Sequence, residues 1–309
     1  MTANRYRVTW NGLQCVTETW DNVTNADGQH DEVFFRCEKK KAKSNGTIVY
    51  GGSTSSPFVS ATMGDNSSPA TLGPRVQAGS ARQPWYQGGV VVGGFISGDM
   101  FPNPPWVAPQ TTQLTNNYPP CSIWEDDIDE DEVVSLIPTI WEWDGGASFL
   151  NGWLNWQVAT DAQFGSRAKQ VFSGPAGAYA WIFDAVSLGI QTVGSLAGMF
   201  SPLGQAGDRP IGIQKDPNNA ANGVFVPKVI ELTKDSAEAL LAANLTGKGN
   251  GVFTVPYTDD PYLRGDYLLY FQIQRIGPNN PNTLVRPAPV RVRVPLHGSI
   301  ITPQATPAR

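Results

Sequence analysis

The sequence predicts a mostly β protein of the α+β class, an antiparallel β-sandwich with a helical hairpin as an insertion. Short segments rich in aromatic and β-branched residues occur in both the N-terminal and the C-terminal parts, which is typical of strands. The 32 glycines and 25 prolines indicate many turns between short elements. Between the two sets of strands lies a stretch poor in proline and rich in alanine, leucine and glutamine, which favours helices.

The N-terminal part of the chain contains two predicted strands and a long loop region. Residues 5–16 and 31–38 are dense in aromatic and β-branched side chains and flank a polar loop. From 51 to 113 the chain is dominated by Gly, Ser, Pro, Thr and Asn. Within it the apolar segment 87–96 predicts one buried strand between glycine turns. We expect the rest of this region to be long loop, which commonly carries function.

The middle of the chain is predicted to change from strands to helices. After the Pro-Pro pair at 119–120 come a short apolar strand, an acidic cluster and a second apolar strand. Residues 149–172 and 178–200 lack strand alternation and predict two helices joined by the Gly-Pro turn at 174–175. These two helices would form the helical hairpin.

The predicted helix 178–200 could pack in two ways. Its one charged residue is Asp184, and it is long enough in principle to span a bilayer. Its Ser, Thr and Gln residues favour instead a buried helix that packs on a sheet. Small residues on one face let a neighbouring backbone approach closely. We predict that this face, in a membrane or against protein, consists of Ala185, Gly189, Gly194 and Gly198.

The C-terminal part is predicted to return to strands. An apolar run at 224–232 precedes a short Ala/Leu-rich helix at 235–243. Further strands are predicted at 251–257, 266–276 and 288–295, and they complete the N-terminal sheet or form a second small β domain. The predicted organisation is a sandwich half with acidic loops and a Gly/Pro-rich insert at 1–146, a helical hairpin at 147–205, and C-terminal strands at 206–309.

Composition narrows the classes of function. The formal net charge is −5, whereas a phosphate backbone is bound by clustered Lys and Arg, so we expect no nucleic-acid partner. The basic run 39–43 is short and predicts a solvated turn. The N-terminus lacks the pattern of a secretory signal, which favours a cytoplasmic location or secretion by a non-classical route. No C-x-x-C pair occurs, which predicts buried thiols rather than a zinc site or disulfide framework for Cys15, Cys37 and Cys121.

Residues that commonly carry catalysis are scarce. The chain has two histidines, His30 and His297, and neither stands in a metal-binding motif. No G-x-S-x-G, P-loop or dinucleotide-binding fingerprint occurs in a strand-to-helix context. Glu142 and Asp144 could be the carboxylate pair of a glycosidase, but the sequence does not place them across a bond. We therefore predict a protein that is not an enzyme.

Two acid-rich loops are candidates for a metal site. Calcium takes six to eight oxygen ligands, which carboxylates and carboxamides on adjacent loops can supply. Crowded carboxylates also repel one another unless a cation or full solvation relieves them. Each loop alone could equally be a solvated turn. We predict that the two loops meet at one end of the sandwich and bind calcium through Asn25, Asp27 and Asp31 from the first and Asp126, Asp127, Asp129 and Asp131 from the second.

A resemblance to C2 domains supports this prediction. The segment 25–50 resembles the first half of that family, in which two acidic positions flank a Gly-containing loop that leads into an apolar strand and a basic turn. The segment 122–137 is similar to the later acidic loop of the family. The resemblance implies an eight-stranded sandwich that binds calcium and then anionic lipid. The matching positions are Asn25, Asp31, Val33 to Phe35 and Lys39 to Lys43, and then Glu125, Asp127 and Asp131.

The leading functional hypothesis is therefore a non-enzymatic, calcium-dependent binding protein. Its partner would be a lipid membrane or another copy of the chain. A structural or assembly subunit, such as a capsid, fibre or matrix protein, is an alternative that the Gly, Pro and Asn content favours. A pore-forming protein that uses helix 178–200 is another. A carbohydrate-active protein, suggested by ten tryptophans, is the least favoured.

Overall fold

The structure is a computed structural model, and it describes residues 5–19, 31–52, 54–64, 85–87, 90–92, 94–107, 114–142, 150–173, 182–184, 192–195 and 208–276. Within these residues the helices are α1 Leu150–Ala159, α2 Asp161–Ser173 and α3 Lys234–Ala242. The strands are β1 Arg5–Thr17, β2 Val33–Lys43, β3 Ile48–Tyr50, β4 Phe58–Val59, β5 Trp85–Gln87, β6 Val90–Val92, β7 Met100–Phe101, β8 Cys121–Asp127, β9 Glu132–Glu142, β10 Ile182–Asp184, β11 Thr192–Ser195, β12 Arg209–Pro210, β13 Ile213–Asp216, β14 Asn219–Phe225, β15 Lys228–Leu232, β16 Val252–Thr258 and β17 Asp266–Arg275.

The strands form antiparallel sheets, which confirms the predicted mostly β fold. The first large sheet has the order β16-β17-β1, and both β7 and β8 pair with β1. The second has the order β10-β15-β9-β2-β3, with β12 on β9 and β4 on β2. In the described part of the chain, β11, β14 and β13 form a small third sheet, and β5 pairs with β6. The C-terminal strands β16 and β17 therefore lie in the sheet that β1 begins.

Aromatic side chains join the two large sheets into a sandwich. Trp10 of β1 stacks on Phe35 of β2 with ring centroids 4.2 Å apart. Phe35 also packs against Phe271 of β17, which stacks on Phe253 of β16. All four rings are at most 1% exposed. Large buried aromatic groups such as these supply most of the apolar area of a core.

The helices α1 and α2 cover the outer face of the second sheet. Successive side chains of a strand point to opposite faces, and on β2 Phe35 faces the first sheet while Glu38 and Lys40 face the helices. Trp153 of α1 donates its indole N–H to Glu38 at 3.0 Å. Lys40 forms an ion pair with Asp161 at the start of α2. Strand β2 is therefore covered on both faces, which explains why it contains no strict apolar–polar alternation.

The basic run 39–43 is not the solvated turn that the sequence predicts. It forms the C-terminal half of strand β2, and Lys40 and Lys41 are only 2% and 6% exposed. Buried ammonium groups are tolerated because each has a carboxylate partner. The prediction of buried thiols is confirmed: Cys15, Cys37 and Cys121 are free and buried, and burial raises the pKa of each thiol.

The predicted hairpin of helices 149–172 and 178–200 does not form: the first predicted helix is instead two consecutive helices, α1 and α2. At the break between them the Thr160 hydroxyl donates to the Trp156 carbonyl. The prediction of a helix at 178–200 is wrong. Residues 182–184 form β10, which pairs with β15, and residues 192–195 form β11, which pairs with β14.

The error at 178–200 has a physical reason. Ile182, Thr192 and Val193 are β-branched and favour strands, and glycine is a poor helix former. Gly194 lies on β11 opposite Gly223 and does not belong to a helix face. Ala185, Gly189 and Gly198 lie outside the described residues, as does the predicted strand 288–295. None of the helices in the described ranges is long and apolar enough to cross a membrane.

The other predicted elements are reproduced with small shifts. The helix at 235–243 is confirmed as α3, and the strands at 5–16, 251–257 and 266–276 are confirmed as β1, β16 and β17. The predicted strand 87–96 is interrupted: its β6 pairs with β5, and its Phe95 forms an isolated bridge with Asp31.

Candidate functional site

The two predicted acidic loops do not meet, because the register of β2 on β9 separates them. Val33 pairs with Glu142 at one end, and Lys43 pairs with Glu132 at the other. Asp31 therefore lies at the first end, and the turn between β8 and β9 lies at the second. Strand β2 has 11 residues, which corresponds to roughly 35 Å. The prediction that both loops build a single cage is wrong, and Asn25 and Asp27 lie outside the described residues.

At the first end, Asp31 is buried among hydrogen-bond donors. It is 1% exposed, and its two carboxylate oxygens accept the backbone N–H of Thr19 at 2.9 and 3.1 Å. The Tyr267 hydroxyl donates to Asp31 Oδ2 at 2.5 Å, and the Thr19 hydroxyl lies 2.8 Å from Oδ1. These contacts bind the end of β1, the start of β2 and strand β17 together.

An arginine joins two further buried carboxylates to Asp31. Arg209 of β12 contacts Glu142 Oε2 at 2.5 Å through Nη2 and Asp259 Oδ2 at 2.9 Å through Nη1. The other oxygen of Glu142 contacts the Thr19 hydroxyl. The other oxygen of Asp259 accepts the backbone N–H groups of Gly212 and Ile213 at 2.7 and 2.9 Å. We call this group the buried carboxylate cluster: Thr19, Asp31, Glu142, Arg209, Asp259 and Tyr267.

Both oxygens of each carboxylate in this cluster are engaged by protein groups. Burial, and then the negative charge of Glu142, raise the pKa of Asp31 to about 8. Burial also raises the pKa of Glu142 and of Asp259 above their ordinary values, although Arg209 lies between them. Because protein donors already contact both of its oxygens, Asp31 offers no free oxygen to a metal ion. We therefore interpret Asp31 as a structural carboxylate and no longer count it among the calcium ligands.

At the second end lies an acidic turn, which we define as residues 126–132. Lys234 of α3 pairs with the exposed Glu130 at 2.9 Å, and the buried cation of the turn is Lys41. Its ammonium lies 3.3 Å from Asp126 Oδ2, 2.9 Å from the Asp127 carbonyl and 2.8 Å from Glu132 Oε2. An ammonium group has three N–H donors, so these acceptors can use all of them. Burial is the largest single influence on Lys41 and acts to lower its pKa. The hydrogen bond to Glu132 and the charges of Asp126 and Glu132 together outweigh burial, so the pKa of Lys41 is raised.

The acidic turn also contains an oxygen that has no hydrogen-bond partner. Asp127 Oδ1 is shielded from solvent and unpartnered. Asp129 and Asp131 are exposed, and Glu132 accepts the backbone N–H of Asp129 at 3.1 Å. Leaving a carboxylate oxygen buried and unpaired is costly. As they stand, no three His, Cys, Asp or Glu side chains in the described part of the chain are arranged to hold a metal ion.

Several residues of both groups are missed by the sequence analysis. Glu142 is noticed as a carboxylate, but nothing local shows that it lies beside Asp31. Arg209 and Tyr267 reach the buried cluster from distant strands, and Lys41 appears in the sequence as one lysine of a basic run. The one usable local signal is that a polar residue stands at the end of an apolar strand, as Glu142 does.

Comparison with known proteins adds no relative. No family model, curated protein or solved structure matches this chain. By its architecture the protein is an antiparallel β-sandwich with a helical layer on one sheet.

Proposed function

We propose that the protein is a non-enzymatic binding protein that binds calcium at the acidic turn. The observation that carries this proposal is Asp127 Oδ1, a shielded carboxylate oxygen without a partner among neighbouring acids. A calcium ion is a hard cation that binds carboxylate and carbonyl oxygens. Binding next to Asp127 would satisfy this oxygen.

The charge balance of the turn supports the same proposal. In the described part of the chain, two lysines contact this turn of six carboxylates: Lys41 faces Asp126 and Glu132 together with the Asp127 carbonyl, and Lys234 pairs with Glu130. Asp129 and Asp131 add two exposed carboxylates, whose side chains are free to rotate toward a bound ion. Because these exposed side chains must first be ordered, we expect modest affinity.

The proposal of a non-enzymatic role is supported by the state of the buried reactive groups. The thiols of Cys15, Cys37 and Cys121 are buried, and a raised pKa keeps each in the protonated form, which is a poor nucleophile. The pore-forming alternative loses the helix 178–200 on which it depended. Anionic lipid stays the partner that the C2 resemblance implies for the calcium-bound protein.

Thermal unfolding with calcium and with a chelator tests the site. A ligand that binds only the folded state at about 100 times its Kd stabilises it by about 2.7 kcal/mol. We expect wild type to gain stability and Asp127→Asn to lose most of that gain. Asp235→Asn removes an exposed carboxylate of α3 as the matched control and should keep the gain. Asp31→Asn should also keep it, because Asp31 lies at the opposite end of β2.

Lys41→Met provides a second test of the same turn. Loss of the ammonium removes a donor from the Asp127 carbonyl and leaves Glu132 Oε2 with the Asp129 N–H, so the calcium-free variant should be less stable and the gain on adding calcium should be larger. If neither wild type nor Lys41→Met responds to millimolar calcium, the turn binds no calcium and the proposal is wrong. Sedimentation with anionic vesicles, with calcium and with chelator, then tests lipid binding.

A further inference from the structure

The hydroxyl of Thr19 lies between two carboxyl groups in the buried carboxylate cluster. Its Oγ1 is 2.8 Å from Asp31 Oδ1 and is also within hydrogen-bond distance of Glu142 Oε1. Thr19, Asp31 and Glu142 are at most 5% exposed. The contacts are therefore shielded from bulk water. In such a place two oxygens in contact without a hydrogen between them are costly.

Counting hydrogens shows that one more proton is needed. A threonine hydroxyl has one hydrogen to donate, and an ionised carboxylate only accepts. With Asp31 and Glu142 both ionised, one of the two contacts to Thr19 has no hydrogen in it and is repulsive. A proton on one carboxyl resolves this, because the acid donates to Oγ1 and Oγ1 donates to the other carboxylate.

The charges around the cluster require the same proton. The cluster holds three carboxylates and one guanidinium: Arg209 pairs with Glu142 and Asp259, and Asp31 is connected to Glu142 through Thr19. Among the other ionisable groups nearby, Tyr267 of β17 and Cys15 of β1 are kept neutral by burial, and Glu18 and Asp99 beside Cys15 add negative charge. Full ionisation would leave two uncompensated negative charges in the core, whereas one shared proton reduces this to one.

We propose that Asp31 and Glu142 share one proton through Thr19 at neutral pH, and that loss of this proton at alkaline pH loosens the junction of β1, β2, β9 and β12. The cluster is thus a pH-sensitive clamp at the end of the sandwich opposite the acidic turn. It does not depend on calcium binding.

The pKa of Asp31 agrees with this geometry and determines whether stability rises or falls with pH. The pKa of Asp31 is about 8 in the folded protein against an ordinary value of 3.8. The folded state therefore binds more protons than the unfolded state between these values. The stabilisation is fully present below the lower value and is lost as the pH rises through the upper one. The two carboxyls titrate as a pair, so the measured pKa belongs to the pair.

Infrared spectroscopy and unfolding measurements test the clamp. Wild type at neutral pH should show the carbonyl stretch of a protonated carboxyl, and a part of that band should be absent from Asp31→Asn. The melting temperature of wild type should fall as the pH rises from about 4 to about 8, and Asp31→Asn should remove most of that fall. The amide of Asn supplies a hydrogen to Thr19 in place of the shared proton, so this variant should fold.

Asp235→Asn, on exposed helix α3, is the control and should keep both the band and the slope of wild type. Two results would overturn the proposal. One is a protonated carboxyl band that is equally strong in wild type and in Asp31→Asn. The other is a melting curve series for Asp31→Asn that runs parallel to that of wild type. Wild type alone also tests the proposal: a spectrum at neutral pH without any protonated carboxyl band would overturn it even if Asp31→Asn unfolds.

Discussion

Arg167 of α2 binds the fully buried carboxylate of Glu231 on β15. Nε and Nη2 of the guanidinium lie 3.0–3.2 Å from the two carboxylate oxygens. Glu231 is 0% exposed, whereas the Arg167 side chain is 22% exposed. Together with the Lys40–Asp161 pair, this contact attaches the helical layer to the second sheet. A polar attachment of this kind depends on the charge state of its members.

Glu231→Gln should flatten part of the pH dependence of stability. Burial outweighs the attraction of Arg167 and raises the pKa of Glu231 to about 7 from 4.5. The raised folded value means that this group stabilises the fold most below about pH 4.5 and that its contribution is lost as the pH rises through 7. Denaturant unfolding of both proteins at a series of pH values checks this. Parallel curves for wild type and Glu231→Gln would contradict it.

Gly165→Ala should destabilise the protein although alanine is the better helix former. The added Cβ would lie 2.6 Å from the carbonyl oxygen of Gly46, which is backbone and cannot turn away. Alanine gains about 1 kcal/mol of helix propensity over glycine, whereas overpacking costs about 1–3 kcal/mol. We expect a net loss in urea unfolding. Ser166→Ala on the exposed side of α2 is the control and should not destabilise; a more stable Gly165→Ala would show that α2 can shift.

Thr233→Ala should cost about 1 kcal/mol through loss of the N-cap of α3. Thr233 Oγ1 accepts the backbone N–H of Ser236 at 3.2 Å, and Ser236 Oγ accepts that of Thr233 at 2.9 Å. The two side chains thus form a reciprocal capping box. Thr233→Ser keeps the hydroxyl and should stay close to wild type. Equal stability of the Ala and Ser variants in denaturant unfolding would show that the cap contributes nothing.

The sequence alone determines the elements whose signals are local. Helix α3 is predicted because its Ala/Leu content lies within one short segment, and the structure adds the capping box of Thr233 and Ser236. Strands β1, β16 and β17 are predicted because their aromatic and β-branched residues are dense over 7 to 13 positions. In these segments local preference and tertiary context agree, so the prediction does not depend on knowing the partner strand.

Tertiary structure alone decides how β10 and β11 form and where the acidic groups lie. Strands β10 and β11 have three and four residues, and each gains its hydrogen bonds from a partner strand more than 25 residues away along the chain. Likewise the pairing of Val33 with Glu142 places Asp31 close to Glu142. The same register pairs Lys43 with Glu132 and so places the acidic turn next to Lys41. Strand register is a non-local property, because it depends on which distant backbone groups pair. The sequence therefore shows that carboxylates cluster in a few segments, and only the register of β2 on β9 decides which of these segments become neighbours.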